Sequence, residues 1–147
     1  MPKFMKTLNN ISRSQSVFRS QKLNVDDICA AHHTFIFAIC RAPGSTQEEL
    51  AKEICLNKST VARTLTHLEN NGYVRRETNK DDKRSTLVFP TQKMLDLLPK
   101  VREIAKEWNS SLAADIDHNE LEIFFSVLSR MEQKAKSITV SGEKEQK

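Results

Sequence analysis

A mostly α-helical fold with one small β-wing is what this sequence predicts, and three observations predict it. Apolar residues recur at three- and four-residue steps through most of the chain. Two short β-favouring runs, Tyr73 to Thr78 and Ser85 to Phe89, flank a charged stretch unsuited to a core. Glycine occurs 3 times and proline 4 times in 147 residues, which leaves little material for long loops or linkers. The length suits one domain with a sizeable core.

The first helix carries Phe4, Leu8, Ile11 and Phe18 at four- and three-residue steps, with Gln15 completing the rhythm. A polar stretch from Gln21 to Asp26 follows. Asp26 or Asp27 is placed to cap a second helix bearing Ile28, Phe35 and Ile39, which Ala42-Pro43-Gly44 ends. Thr46-Gln47-Glu48-Glu49 is a capping box, and the helix it starts buries Leu50, Ala51 and Ile54. Cys55-Leu56 makes a turn. Asn57 then caps a helix whose core side is Val61, Leu65 and Leu68, and Gly72 supplies the left-handed position that stops it. Two helices joined by a short turn form a helix-turn-helix.

After it, Asn79-Lys80-Asp81-Asp82-Lys83-Arg84 reads as the exposed loop of a hairpin, and Pro90 ends the second strand. Thr91 is placed to cap a long helix with Met94, Leu97, Leu98, Val101, Ile104 and Trp108, in which Pro99 predicts a kink or break. Asp117-His118-Asn119-Glu120 is a second capping box. The last helix spaces Leu121, Phe124, Leu128, Met131, Ala135 and Ile138 as a coiled-coil seam. Matching stripes at both ends of the chain predict helices that pack on each other and on a second subunit. Residues 139–147 read as a disordered tail.

The charge is mildly basic, 23 Lys+Arg against 19 Asp+Glu, and its distribution matters more than its total. Lys3, Lys6, Arg13, Arg19 and Lys22 share residues 1–25 with no acid. Residues 57–84 hold seven basic residues against four acidic ones, whereas residues 91–133 hold five against eight. Positive charge therefore gathers on the N-terminal arm and on the helix and hairpin after Asn57. No run is long enough to span a bilayer and no apolar signal segment follows Met1, so a cytoplasmic protein without a membrane partner is expected. Cys29, Cys40 and Cys55 are odd in number and lack a CxxC, which argues against a disulfide framework or zinc ribbon and suits a reducing compartment.

On the helix after Asn57, Thr60, Arg63, Thr64 and His67 share the face turned away from Val61, Leu65 and Leu68. Lys58, Ser59 and Thr60 occupy its first turn, where hydroxyls and amides meet phosphate. Arg63 is long enough for two hydrogen bonds to a guanine edge, and Thr64 offers a methyl to thymine. A plain solvated helix face has the same composition. The helix before it and the basic hairpin after it favour double-stranded DNA.

From Ala42 to Lys100 the chain resembles the MarR family of winged-helix transcription regulators. The stretches that carry the likeness are PGSTQEELA, STVARTLTHLENNGYVRR, the DDKR turn and LVFPTQKMLDLLPK. The most specific piece is Asp82-Lys83-Arg84 followed by Leu87 and Thr91, a wing signature. The resemblance implies a winged helix-turn-helix plus an intertwined helical dimerisation region. It implies that Arg84 enters a minor groove, that Asp82 orients basic side chains nearby, and that the protein is a homodimer. Family members often have leucine before the threonine that ends the wing and glycine three residues after it; this chain has Pro90 and Met94.

Cys29 and His33, four residues apart, are expected on one helix face, but no third metal ligand lies near them in sequence. A partly buried face or pocket lining is the better reading, and no metal or cofactor is expected. The resemblance adds an effector pocket between the dimer helices and the DNA-binding lobe, with His32, His33 and Ile36 as lining. Taken together, the sequence predicts a non-enzymatic, sequence-specific DNA-binding transcriptional regulator. It would be a repressor acting as a homodimer on a pseudo-palindromic site and released by a small molecule. Residues 28–90 are expected to form the DNA-binding lobe, contacting DNA through Lys58, Ser59, Thr60, Arg63, Thr64, His67, Arg75, Lys83 and Arg84. Residues 1–20 and 92–138 are expected to form the dimerisation region of one domain. Two other readings stay open: a cysteine-based redox regulator, and a winged-helix protein-interaction module without DNA binding. An enzyme lacks support in any glycine-rich phosphate loop or nucleophile–base pair.

Overall fold

The computed structural model describes residues 3–23 and 25–144, with residues 139–144 as backbone only. The elements are α1 (Phe4–Lys22), α2 (His32–Arg41), β1 (Ser45–Thr46), α3 (Gln47–Glu53), α4 (Lys58–Asn70), β2 (Val74–Thr78), β3 (Thr86–Pro90), α5 (Gln92–Ala113) and α6 (His118–Lys144). The chain divides into two compact units, Met1–Trp108 and Asn109–Lys147. This is a mostly α fold with a small antiparallel sheet of order β1-β3-β2.

Local chemistry sets the ends of the short helices. Thr46 and Glu49 form the full capping box: the Glu49 amide donates to Thr46 Oγ1 at 3.2 Å and the Thr46 amide to Glu49 Oε2 at 2.7 Å. Asn57 Oδ1 accepts the Thr60 amide at 2.8 Å and so caps α4. Between α3 and α4 the backbone reverses at Cys55, a non-glycine residue with positive φ, 53°. At the far end of α4, Gly72 takes φ +74° and its amide donates to the Glu69 carbonyl at 2.9 Å. In the C-terminal unit, Asp117 caps α6 through the Asn119 amide at 2.9 Å.

Five elements of the first unit close around one core. Phe35, Ile36 and Ile39 of α2, Leu50 of α3, Val61, Leu65 and Leu68 of α4, Val88 of β3, and Met94, Val101 and Ile104 of α5 are all essentially without exposure. Truncating any of its leucines to alanine costs roughly 2–5 kcal/mol. The C-terminal end of α1 joins through Phe18, whose ring lies 5.3 Å from that of Trp108, and Lys22 pairs with Glu107 at 2.6 Å. The wing is anchored at its root by Thr91. Its amide donates to the Tyr73 carbonyl at 2.9 Å and its hydroxyl to the Gly72 carbonyl at 2.6 Å.

Three expectations are corrected. The second helix begins at His32, six residues after Asp26, because the Asp27 carboxylate faces Lys93 Nζ at 3.8 Å and residues 25–31 run in tight turns. Pro99 does not break α5, which runs from Gln92 to Ala113; the carbonyl it leaves unserved, on Leu95, belongs to an exposed residue that water can satisfy. The Thr91 hydroxyl at the start of α5 also donates to the wing root. The backbone of α6 continues to Lys144 where the sequence reads as a tail, and residues 145–147 lie outside the described residues. Strand β1 was invisible in the sequence. Two residues suffice, because Ser45 and Thr46 pair with Val88 and Leu87, and the Gly44 amide donates to the Val88 carbonyl at 2.8 Å.

Gly44 has φ +84°, and a Cβ there would lie 3.1 Å from Phe89 Cε1. Gly72 is equally left-handed, but nothing lies within 4 Å of the position its Cβ would take. Gly72→Ala should cost about 1–2 kcal/mol from φ alone, and Gly44→Ala more. Urea unfolding of both variants checks the order.

Candidate nucleic-acid interface

Burying Val61, Leu65 and Leu68 turns the opposite face of α4 outward. Lys58, Ser59 and Arg63 are exposed on it, and Thr60 and Thr64 are half-buried. Arg63 has no ion-pair partner among the described residues. Lys58 Nζ lies 3.3 Å from Glu48 Oε1, and the Ser59 hydroxyl donates to Asn57 Oδ1 at 2.8 Å. His67 is on the same helix but turns back to the scaffold: its Nε2 lies 2.8 Å from the Asp27 carbonyl oxygen, and its ring is 4.8 Å from that of His32.

The hairpin of β2 and β3 sorts its basic residues by strand face. Arg76 is half-buried and forks onto the Glu69 carboxylate of α4, with Nε to Oε2 at 2.8 Å. This bond holds Glu69 below the usual carboxylate range. Arg75, on the other face, stacks over Phe89 with its guanidinium carbon 4.3 Å from the ring centre, and pairs with Glu77. Lys83 and Arg84 at the tip are exposed and have no ion-pair partner among the described residues. Asp82 acts on backbone: its Oδ1 accepts the Arg84 amide at 3.0 Å, and its carbonyl accepts the Ser85 amide and hydroxyl. These bonds form an Asx-type turn at the wing tip.

Wing and helices meet at an open groove of about 440 Å³ lined by Thr46, Gln47, Glu48, Lys58, Asn79, Asp82, Arg84, Ser85 and Thr86. The sequence pointed to Lys58, Asp82 and Arg84 but missed Glu48, Thr46 and Gln47. Glu48 carries the one carboxylate that bridges Lys58 and Lys52, and the hydrogen bond from Lys58 lowers its pKa. The capping box was the only signal at these positions, and it spoke of structure.

His32, His33 and Ile36 do not line that groove. Ile36 and His33 are fully buried in α2, and His32 is half-exposed. Both ring nitrogens of His33 lack a hydrogen-bond partner among the described residues, as does Arg19 Nε of α1. Burial first, then the charges of Arg19 and His32, push the His33 pKa down to about 4. Cys29 precedes α2 and so does not sit one helical turn from His33. Its amide donates to His32 Nδ1 at 3.2 Å. Among the described residues no group of three or more His, Cys, Asp or Glu is placed to hold a metal ion. No helix of the described residues is long and apolar enough to cross a membrane. Cys29 and Cys55 are exposed, while burial raises the pKa of Cys40 against the opposing charge of Arg102.

Residues 31–86, which hold α2 through the start of β3, match the model of the MarR family. That stretch is similar to the MarR family. The chain is 23% identical over 116 residues to the HTH-type transcriptional regulator BilQ of Clostridium symbiosum, covering 79% of this chain and 81% of that one. A MarR transcriptional regulator from Methanosarcina mazei superposes with TM-score 0.86 at 27% identity, over 94% of this chain and 99% of that chain. A mutant MarR from E. coli complexed with operator DNA shares the fold, with TM-score 0.79 and 21% identity over 89% of this chain and 94% of that chain.

The two departures from the MarR pattern are absorbed below the wing. Pro90 closes β3 opposite Val74, and Met94 fills the core without exposure, so neither touches the tip at Lys83 and Arg84.

The orphaned imidazole of His33 has a consequence for pH. Its depressed pKa means that the folded state holds it neutral. That contribution is complete above 6.5 and is lost as pH falls from 6.5 towards about 4. Urea midpoints should decline across that window. His33→Leu should flatten the decline and be neutral or stabilising at pH 7, because it removes unpaired buried polar atoms.

Proposed function

We propose that this chain is a MarR-family regulator that binds double-stranded DNA sequence-specifically as a homodimer and represses transcription. The observation that carries the reading is the placement of Arg63 on α4 and of Lys83 and Arg84 on the wing. All three are exposed, free of ion-pair partners among the described residues, and on elements that a buried core holds in place. An α-helix fits a major groove and an arginine-tipped loop fits a narrow minor groove. The likeness to a protein crystallised on operator DNA supports the same assignment. Residues 28–90 are then the DNA-binding lobe. Lys58, Ser59 and Thr60 meet phosphates, Arg63 and Thr64 meet base edges, and Arg84 and Lys83 meet the minor groove and its backbone. Arg75 and His67 have ties within the protein, so they act chiefly by positioning.

The dimer reading rests on apolar surface. On α6, Ile123, Phe124, Phe125 and Ile138 are more than half exposed, and Met5 and Val17 of α1 are likewise open. A helix face of this kind needs a partner. A second copy of the chain, joined through residues 1–20 and 92–138, is the partner the reading assigns. Two α4 helices related by a two-fold axis would enter successive major grooves about 34 Å apart and read a pseudo-palindrome. A small-molecule effector that binds one lobe arrangement better than the other would release the DNA. The partnerless Arg19 Nε and His33 nitrogens favour an acidic one near His32, His33 and Ile36.

In vitro selection from a random duplex library supplies the site. Arg63→Ala and Arg84→Ala should each weaken binding to the selected duplex by roughly 1–3 kcal/mol, with circular dichroism and elution volume unchanged. Wild-type affinity should fall steeply with salt. Variants that shift the duplex like wild type would overturn the residue assignment. No enrichment at all would favour the protein-interaction alternative.

A further inference from the structure

Two imidazoles meet where the connector into α2 crosses the end of α4. His32 is the first residue of α2 and His67 lies in the last turn of α4, with ring centroids 4.8 Å apart and planes inclined by 33°. Each ring has a backbone partner. The Cys29 amide donates to His32 Nδ1, so a neutral His32 carries its proton on Nε2. The Asp27 carbonyl can only accept, so the His67 nitrogen beside it, Nε2, is the protonated one. Both bonds therefore exist together when both rings are neutral. A second proton on His32 lands on the atom that the Cys29 amide uses, and two N–H groups then oppose each other.

The charges around the pair do not offset this. The Asp27 carboxylate is already faced by Lys93 of α5, at 3.8 Å. Lys93 also donates to the Asn71 carbonyl at 2.8 Å, beside the end of α4. His33 follows in sequence, and the guanidinium of Arg19 on α1 acts on it electrostatically.

We propose that His32 and His67 form a proton-operated latch, which ties the connector of residues 25–31 to the end of α4 at neutral pH and opens it in mild acid. Burial and then the neighbouring His67 lower the His32 pKa, against a hydrogen bond at the Asp27 backbone that raises it. A base with a depressed folded pKa contributes its full stability above 6.5 and loses it as pH falls below that value. The latch itself is independent of DNA. Its consequence, a loosened α4 with weaker DNA affinity in acid, rests on the DNA-binding reading above.

Amide hydrogen exchange of the full chain without DNA, at pH 7.5 and 5.5 and corrected for intrinsic rates, tests it. Amides of residues 28–32 and 67–71 should lose protection on the order of tenfold, one pKa unit's worth, beyond any loss at residues 50–54. His32→Gln and His67→Gln retain a neutral acceptor or donor and should each abolish the pH dependence. His33→Leu should leave it in place. Unchanged protection in wild type, or a loss that persists in both glutamine variants, overturns the latch. If a variant fails to fold, the wild-type His32 Cε1–H titration decides: a midpoint below 6.5 that coincides with the loss of protection supports the latch, and one that does not coincide overturns it. Affinity for the selected duplex at the two pH values reads the consequence. Equal affinity with an open latch removes that consequence, and absence of binding at both pH values faults the DNA-binding reading alone.

Discussion

Val61, Leu65 and Leu68 are fully buried, and burying them leaves α4 one way to present Lys58, Ser59 and Arg63. Rotating the helix to change its outer face would pull this ridge from Leu50, Val88 and Met94, which line the same core. Interiors are close-packed and resist such rotation. The caps at Asn57 and Gly72 define where the helix begins and ends. Between them, an apolar stripe and two local stops turn a polar surface into a rigid one.

The wing obeys a second constraint, which is the disposal of its charge. Of the basic residues between Arg75 and Arg84, Arg76 is committed to Glu69 and Arg75 to Phe89 and Glu77. Those bonds fasten β2 to α4 and stiffen the strand. What remains free of ion pairs among the described residues is at the tip, where Asp82 folds the turn that presents Arg84. A basic hairpin is therefore two things at once: a brace whose charges are neutralised internally and a tip whose charges are available. Net charge alone does not separate them.

The residues that link regions are histidines and Asp27. The connector before α2 reaches the end of α4 through His32, His67 and the Asp27 carbonyl, and reaches α5 through Lys93. His33, one residue on, is sealed in the core with both nitrogens unserved among the described residues. Adjacent histidines thus face different environments, since successive residues of a helix point about 100° apart. The exposed apolar residues of α1 and α6 belong to a different problem, because a single copy of the chain leaves them open to water.

The features legible in the sequence were those whose cause lies within a few residues. The Thr46–Glu49 box, the Asn57 cap, the Gly72 stop and the inward spacing of Val61, Leu65 and Leu68 follow from backbone geometry and side-chain reach, which a short window contains. The wing tip was legible for the same reason, as a polar turn between two β-favouring runs. Where partners are far apart in sequence, the tertiary structure decided. It delayed α2 to His32 by engaging Asp27 with Lys93, and recruited Ser45 and Thr46 as an edge strand through Leu87 and Val88. It let Pro99 stand inside α5, and turned His67 from the outer face to Asp27. It also divided the arginines of the hairpin between brace and tip. Sequence periodicity says which face a residue is on; only the packed neighbours say whether its polar atoms are already spoken for.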